Sequence, residues 1–66
     1  MRELTVRGTE TVAELAAALR VANVDLIEVG FRDLGLLLTI HQELSLAQIR
    51  SLAIAFGFSV RTREND

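Results

Sequence analysis

The chain has 66 residues, half of them hydrophobic, and a formal net charge of −2 at pH 7. This length predicts a single domain over residues 1–66, with a thin core and marginal stability. The chain contains no cysteine, which excludes disulfides and thiolate metal sites, and its net negative charge argues against nonspecific binding of nucleic acid.

The first predicted elements are a strand and a helix. Residues 3–7 alternate polar and apolar side chains, as in a half-buried strand. Thr11 and Glu14 have the spacing of a capping box, which predicts that a helix begins at Thr11. Asn23 readily adopts the left-handed conformation and is expected to end this helix. The positions predicted to face the core are Leu4, Val6, Val12, Leu15, Ala16, Leu19 and Ala22.

The next predicted element is a second strand over residues 26–31. We expect Glu28 to point outward, because burying an unpaired carboxylate costs several kcal/mol. Arg32 and Asp33 then form the turn of a hairpin. The inward positions are Ile27, Val29 and Phe31.

The second half of the chain predicts a strand, a helix and a last strand. Residues 35–41 are the most apolar segment and are expected to form a central strand. Ser45 and Gln48 form a second capping box that begins the helix, and Gly57 ends it. The last strand covers residues 58–63. The positions predicted to face the core are Leu36, Leu38, Ile40, Leu46, Ile49, Leu52, Ala53, Phe56, Phe58 and Val60.

The two halves repeat each other at an offset of 34 residues, so that Leu4–Val6 aligns with Leu38–Ile40 and the two capping boxes coincide. Each half therefore predicts strand, helix, strand. Right-handed crossovers place both helices on one face of the sheet. The predicted fold is α+β, a ferredoxin-like β-α-β-β-α-β domain whose four-stranded antiparallel sheet has strand order 4-1-3-2 and one open face.

The sequence offers no recognisable catalytic, metal or cofactor site. His41 is the only histidine, and because the carboxylates near it lack the spacing of metal ligands, we interpret it as a solvated residue at the end of a strand. No glycine-rich phosphate-binding loop is present, and no hydroxyl group has a base at a recognisable spacing. An RNA-binding sheet would need outward aromatic side chains, which the outward positions do not supply. We therefore predict a protein that is not an enzyme and that binds no cofactor, metal or nucleic acid directly.

The acidic side chains are concentrated in the middle of the chain, where residues 10–43 carry six Asp or Glu and two Arg residues, a local charge of −4. A row of carboxylates on an open sheet imitates the phosphate spacing of DNA and steers association with a basic partner. Exposed aliphatic side chains beside such charges are typical of protein interfaces. The candidate partner-binding residues are Asp25, Glu28, Glu43, Glu10, Asp33 and Leu37. The alternative is that these acids are ordinary solubilising charges.

With this topology over Leu4–Arg63, an acidic open sheet and no catalytic motif, the small chain resembles anti-CRISPR proteins of phages and mobile elements, particularly those that inhibit type I systems. The resemblance rests on topology and size, without a shared motif. It implies a monomeric inhibitor that binds the large basic subunit of a type I CRISPR surveillance complex where target DNA would enter. In that hypothesis the candidate carboxylates imitate DNA phosphates.

Two other classes of function stay open. A resemblance to ACT regulatory modules, carried by Thr5–Thr9 after the first strand, implies a small-molecule-sensing or dimerising regulatory domain. An assembly subunit would instead be an obligate oligomer through the edge strand at residues 26–31. No segment is apolar enough to cross a bilayer and no signal peptide is visible, so we expect a cytoplasmic protein that contacts no membrane. The resemblance to anti-CRISPR proteins implies that this cytoplasm is that of a host bacterium.

Overall fold

The structure is a computed structural model that describes residues 2–63. Its elements in chain order are β1 (Arg2–Val6), β2 (Glu10–Thr11), α1 (Val12–Leu19), α2 (Asn23–Leu34), β3 (Glu43–Leu44), α3 (Leu46–Ala55) and β4 (Phe58–Thr62). Within this range the strands form two sheets of two strands each. β1 and β4 pair in parallel, with Leu4 opposite Val60, whereas β2 and β3 pair antiparallel, with Glu10 opposite Leu44.

The predicted ferredoxin-like fold is wrong. The described part of the chain has three helices and two small sheets in place of one four-stranded antiparallel sheet. The first and last strands lie side by side, but they run parallel rather than antiparallel. The predicted second and third strands, residues 26–31 and 35–41, lie in neither sheet. The strand order 4-1-3-2 and the open pleated face are therefore not features of this fold.

Residues 26–31 belong to α2 because both ends of this segment suit a helix. Asp25 in the first turn and Arg32 in the last turn carry the charges that oppose the helix dipole. Gly35 ends the helix in the left-handed conformation, with a φ of 68°, and the amides of Gly35 and Leu36 donate to the last carbonyls of the helix. The β-branched residues of the segment favour a strand only weakly, and tertiary packing overrides that preference.

The segment after α2 pairs its backbone with the start of a helix rather than with a strand. Residues 35–41 lie outside helices and strands. The amide of Val12 donates to the carbonyl of Gln42, and the amide of Ala13 donates to the carbonyl of Ile40, each at 3.0 Å. Because the first amides of a helix have no partner within it, these bonds satisfy α1 and hold the segment in place.

Both predicted capping boxes are confirmed. The Thr11 hydroxyl accepts from the Glu14 amide at 3.1 Å, and the Glu14 carboxylate accepts from the Thr11 amide at 2.8 Å. The box at the start of α3 has the same two bonds, at 3.2 and 2.9 Å. The predicted end of the first helix is wrong, because the left-handed residue is Arg20, with a φ of 62°, and Asn23 lies in the first turn of α2.

One core collects side chains from all three helices, from β1, β3 and β4, and from the segment after α2. Its buried members are Val6, Val12, Leu15, Ala16, Leu19, Leu26, Leu38, Leu44, Ile49, Leu52, Ala53 and Phe58. Three predicted core residues are instead exposed, namely Phe31 at 61%, Ile40 at 42%, and Ala22. Phe31 is exposed because it lies on a helix, on a different side from the buried Leu26, and the strand periodicity that placed it inward does not apply.

Candidate functional site

The predicted partner-binding carboxylates lie on two different parts of the fold. Asp25, Glu28 and Asp33 belong to α2, whereas Glu10 and Glu43 lie on the β2–β3 pair. Glu28 is exposed, as expected, although it projects from a helix and not from a sheet. Because α2 replaces the predicted second strand, these carboxylates do not share one pleated surface.

The polar side of α2 carries a net negative charge. Asp33 Oδ1 lies 3.1 Å from Nε of Arg32, so the charges of these two neighbours largely cancel. Asp25 and Glu28 are both exposed, and their spacing of three residues places them next to each other on the helix surface. The exposed polar side of the helix is therefore acidic toward its N-terminal half.

The sequence interpretation missed an exposed apolar stripe along α2. Val24, Ile27, Phe31 and Leu34 follow the spacing i, i+3, i+7, i+10, which brings them onto one side of the helix. Val24, Phe31 and Leu34 are 67%, 61% and 37% exposed, and Leu37, just beyond the helix, is 80% exposed. Ile27 is half-buried and also packs against the core. We call these five residues the α2 face.

A shallow cavity of about 350 Å³ opens on the α2 face. Its lining residues are Ile27, Glu28, Phe31, Leu36, Leu37 and Leu38. Glu28 is the only ionisable residue in this lining, so the cavity combines apolar walls with a single carboxylate.

Gly30 shapes this cavity by letting the segment after α2 approach the helix closely. Gly30 is buried, and a Cβ at this position would lie 2.5 Å from Cδ1 of Leu38. The missing side chain therefore makes room for Leu38 in the core, where it is 7% exposed. The neighbouring Leu37 is 80% exposed. One close contact thus fills the core and completes the α2 face.

The described residues bring together an exposed apolar surface and two carboxylates on α2. Within residues 2–63, no group of three or more His, Asp or Glu side chains is placed to hold a metal ion. His41 is exposed, in a turn outside the helices and strands. The α2 face offers apolar contact area and, beside it, the carboxylates of Asp25 and Glu28.

The signal for this stripe is present in the sequence. Val24, Ile27, Phe31 and Leu34 match a helical period, and Glu28 and Arg32 have the spacing i, i+4 of a helical ion pair. Ile27, Val29 and Phe31 of the same segment also fit a short alternating strand. Gly35 is a helix stop signal, but it also fits the start of a strand after a turn, so the local pattern does not decide between the two.

No family model matches the sequence, and no curated protein matches it significantly. Among the helices of the described region, none has the length and the apolar character needed to cross a membrane. The function must therefore be inferred from the surface of the chain itself.

Proposed function

We propose that this chain is a non-enzymatic protein-binding module whose α2 face docks an amphipathic helix that has basic residues beside its apolar stripe. The observation that carries the proposal is the exposed apolar stripe of α2 with Glu28 at its cavity. An apolar helix face laid against another helix is a recurrent mode of recognition, with anchors at positions i, i+3 and i+7.

The apolar part of the surface supplies the affinity. Phe31 and Leu37 are large and mostly exposed, and both line the same cavity. Contiguous exposed apolar surface rimmed by polar groups marks interaction sites, and Phe is among the side chains enriched in protein interfaces. We therefore place the anchor of the interface at Phe31.

The charged part of the surface selects the occupant. Asp25 and Glu28 flank the stripe, and opposite charges across an interface steer association and set its register. A second copy of this chain is a poorer occupant, because it brings the same acidic flank and its own net charge of −2. Two α2 helices packed antiparallel about residue 29 would also bring their Glu28 carboxylates near each other, and such like-charge contacts oppose association.

The anti-CRISPR inhibitor stays a prediction, and the topology on which the resemblance rested is not the topology of this chain. The same correction removes the sheet that an ACT-like module would need. A protein partner and a basic contact surface remain parts of the proposal, supported by the acidic flank of α2 rather than by DNA-like spacing of carboxylates. Action in the bacterial cytoplasm stays a prediction.

The test measures, by fluorescence anisotropy, the binding of a synthetic helical peptide that has a Leu stripe flanked by Lys. Phe31→Ala should weaken its binding about tenfold or more, as loss of an interface anchor does. Glu28→Gln should weaken peptide binding less than Phe31→Ala does. Its effect should be larger at low salt, because added salt screens the charge contact. The matched control is Ile54→Ala, which truncates another exposed apolar residue, 60% exposed, on a different helix.

Three results would contradict the proposal. One is an Ile54→Ala variant that loses as much affinity as Phe31→Ala. Another is a matched peptide with Glu in place of Lys that binds equally well. The third is a dimer in sedimentation experiments that Phe31→Ala dissociates, because a second copy of the chain would then be the occupant.

A further inference from the structure

A second cavity lies at the carboxyl ends of β1 and β4. Its lining differs in residue composition from the α2 face. Its volume is about 690 Å³. Its lining residues are Thr5, Arg50, Arg61, Thr62 and Arg63. Among the described residues 2–63, the lining carries three guanidinium groups and no carboxylate, in a chain whose formal net charge is −2.

The fold brings these residues together from distant parts of the sequence. The parallel pairing of β1 and β4 places Thr5 opposite Arg61. The amide of Arg63 donates to the carbonyl of Val6 at 2.8 Å, which holds the end of β4 beside the end of β1. Arg50 reaches the same cavity from α3, the helix that packs on β4.

We propose that this cavity binds a small ligand carrying two or more phosphate groups. Guanidinium groups present planar pairs of donors that match phosphate oxygens, and the hydroxyl groups of Thr5 and Thr62 add neutral donors. Three arginines supply more positive charge than a single phosphate group requires. The volume also lies in the range of small-molecule sites.

The lining also argues for a small phosphate compound over nucleic acid. No aromatic side chain of residues 2–63 lines the cavity, so bases have no ring there on which to stack. The negative charge of the whole molecule opposes a long polyanion, whose affinity depends on many cationic contacts.

Within the part of the chain that the structure describes, one acidic group competes for a cavity arginine, and it competes weakly. Oε2 of Glu3 lies 3.8 Å from Nε of Arg61, and both side chains are more than half exposed. Exposed ion pairs of this kind contribute little. A phosphate group that presents two of its oxygens to Arg61 can therefore replace the Glu3 carboxylate there.

The test is a titration of the ¹⁵N-labelled full chain with pyrophosphate, in which binding is measured from the amide resonances. We expect saturable shifts at Thr5 and residues 61–63, with the amides of the α2 face unchanged. Arg50→Gln and Arg63→Gln should each weaken binding about tenfold, the effect of losing a charge-assisted hydrogen bond. Arg20→Gln, which removes an exposed arginine outside the cavity, is the matched control and should bind as the parent does.

The proposal does not rest on the docking function, and its failure is visible separately. It is overturned if pyrophosphate causes no saturable shift, or if Arg20→Gln weakens binding as much as Arg50→Gln. An oligothymidine that binds more tightly than pyrophosphate at the same salt would assign the cavity to nucleic acid instead. Melting curves of the variants show that each one is folded before its affinity is compared.

Discussion

At the scale of single residues, Gly30 links the core to the α2 face. It lies inside a helix, where glycine costs about 1 kcal/mol relative to alanine. Leu38 packs against this position, and its Cδ1 would lie 2.5 Å from a Cβ added at Gly30. A close approach between two buried groups thus outweighs local helix propensity.

We expect Gly30→Ala to destabilise the protein, because overpacking costs about 1–3 kcal/mol and exceeds the gain in helix propensity. In a Leu38→Val background, which lacks the δ-methyl groups, the same substitution should be neutral or stabilising. Urea unfolding of the four variants of this cycle measures the coupling. An equal loss in both backgrounds would show that Leu38 is not the group that an alanine at position 30 meets.

At the scale of elements, the local signals in the sequence were sufficient for α1 and α3 and insufficient for α2. Both capping boxes involve side chains three residues apart, so they could be predicted without knowledge of the fold. The segment at 26–31 fits a strand by alternation and a helix by period, and only long-range packing separates the two. The candidate site was misplaced for the same reason, since Phe31 was assigned to the core together with the wrong strand.

Gly35→Ala tests the helical end of this segment. Gly35 has a φ of 68°, and an added Cβ meets nothing within 4 Å, so any cost is that of the left-handed backbone. We expect a loss of about 1 kcal/mol in the free energy of unfolding. Gly35→Asn should lose less, because asparagine tolerates this conformation.

Equal stabilities of the alanine, asparagine and parent proteins in urea would contradict this end of α2. They would be expected if residues 26–31 and 35–41 formed the hairpin that the alternation predicts, because the turn would then lie at Arg32 and Asp33.

At the scale of the whole molecule, the fold depends on contacts between the two ends of the described chain, which local patterns do not encode. β1 pairs with β4 across most of the sequence, and α3 packs against α2, β3 and β4. The two misassigned segments, residues 26–31 and 35–41, changed the predicted topology of the entire domain.

Leu52→Ala tests the dependence of the whole domain on this core. Leu52 is completely buried in α3, and truncating such a residue costs about 2–5 kcal/mol, a large share of the roughly 5 kcal/mol expected for so small a domain. We expect a strongly lowered melting temperature by circular dichroism. Ile54→Ala, on the exposed side of the same helix, should change stability by less than about 0.5 kcal/mol. Similar losses in both variants would mean that α3 is packed differently.

The parallel pairing of β1 and β4 also determines how the domain responds to tension. Arg2 is opposite Phe58, and the amide of Arg63 is bonded to Val6, so Arg2 and Arg63 lie at opposite ends of the strand pair. A force applied between these two residues slides the strands past each other along their length. The bridging hydrogen bonds then bear the load together, instead of opening one after another as in a peeled hairpin. We therefore expect a mechanical resistance that is high for a domain of such modest thermodynamic stability.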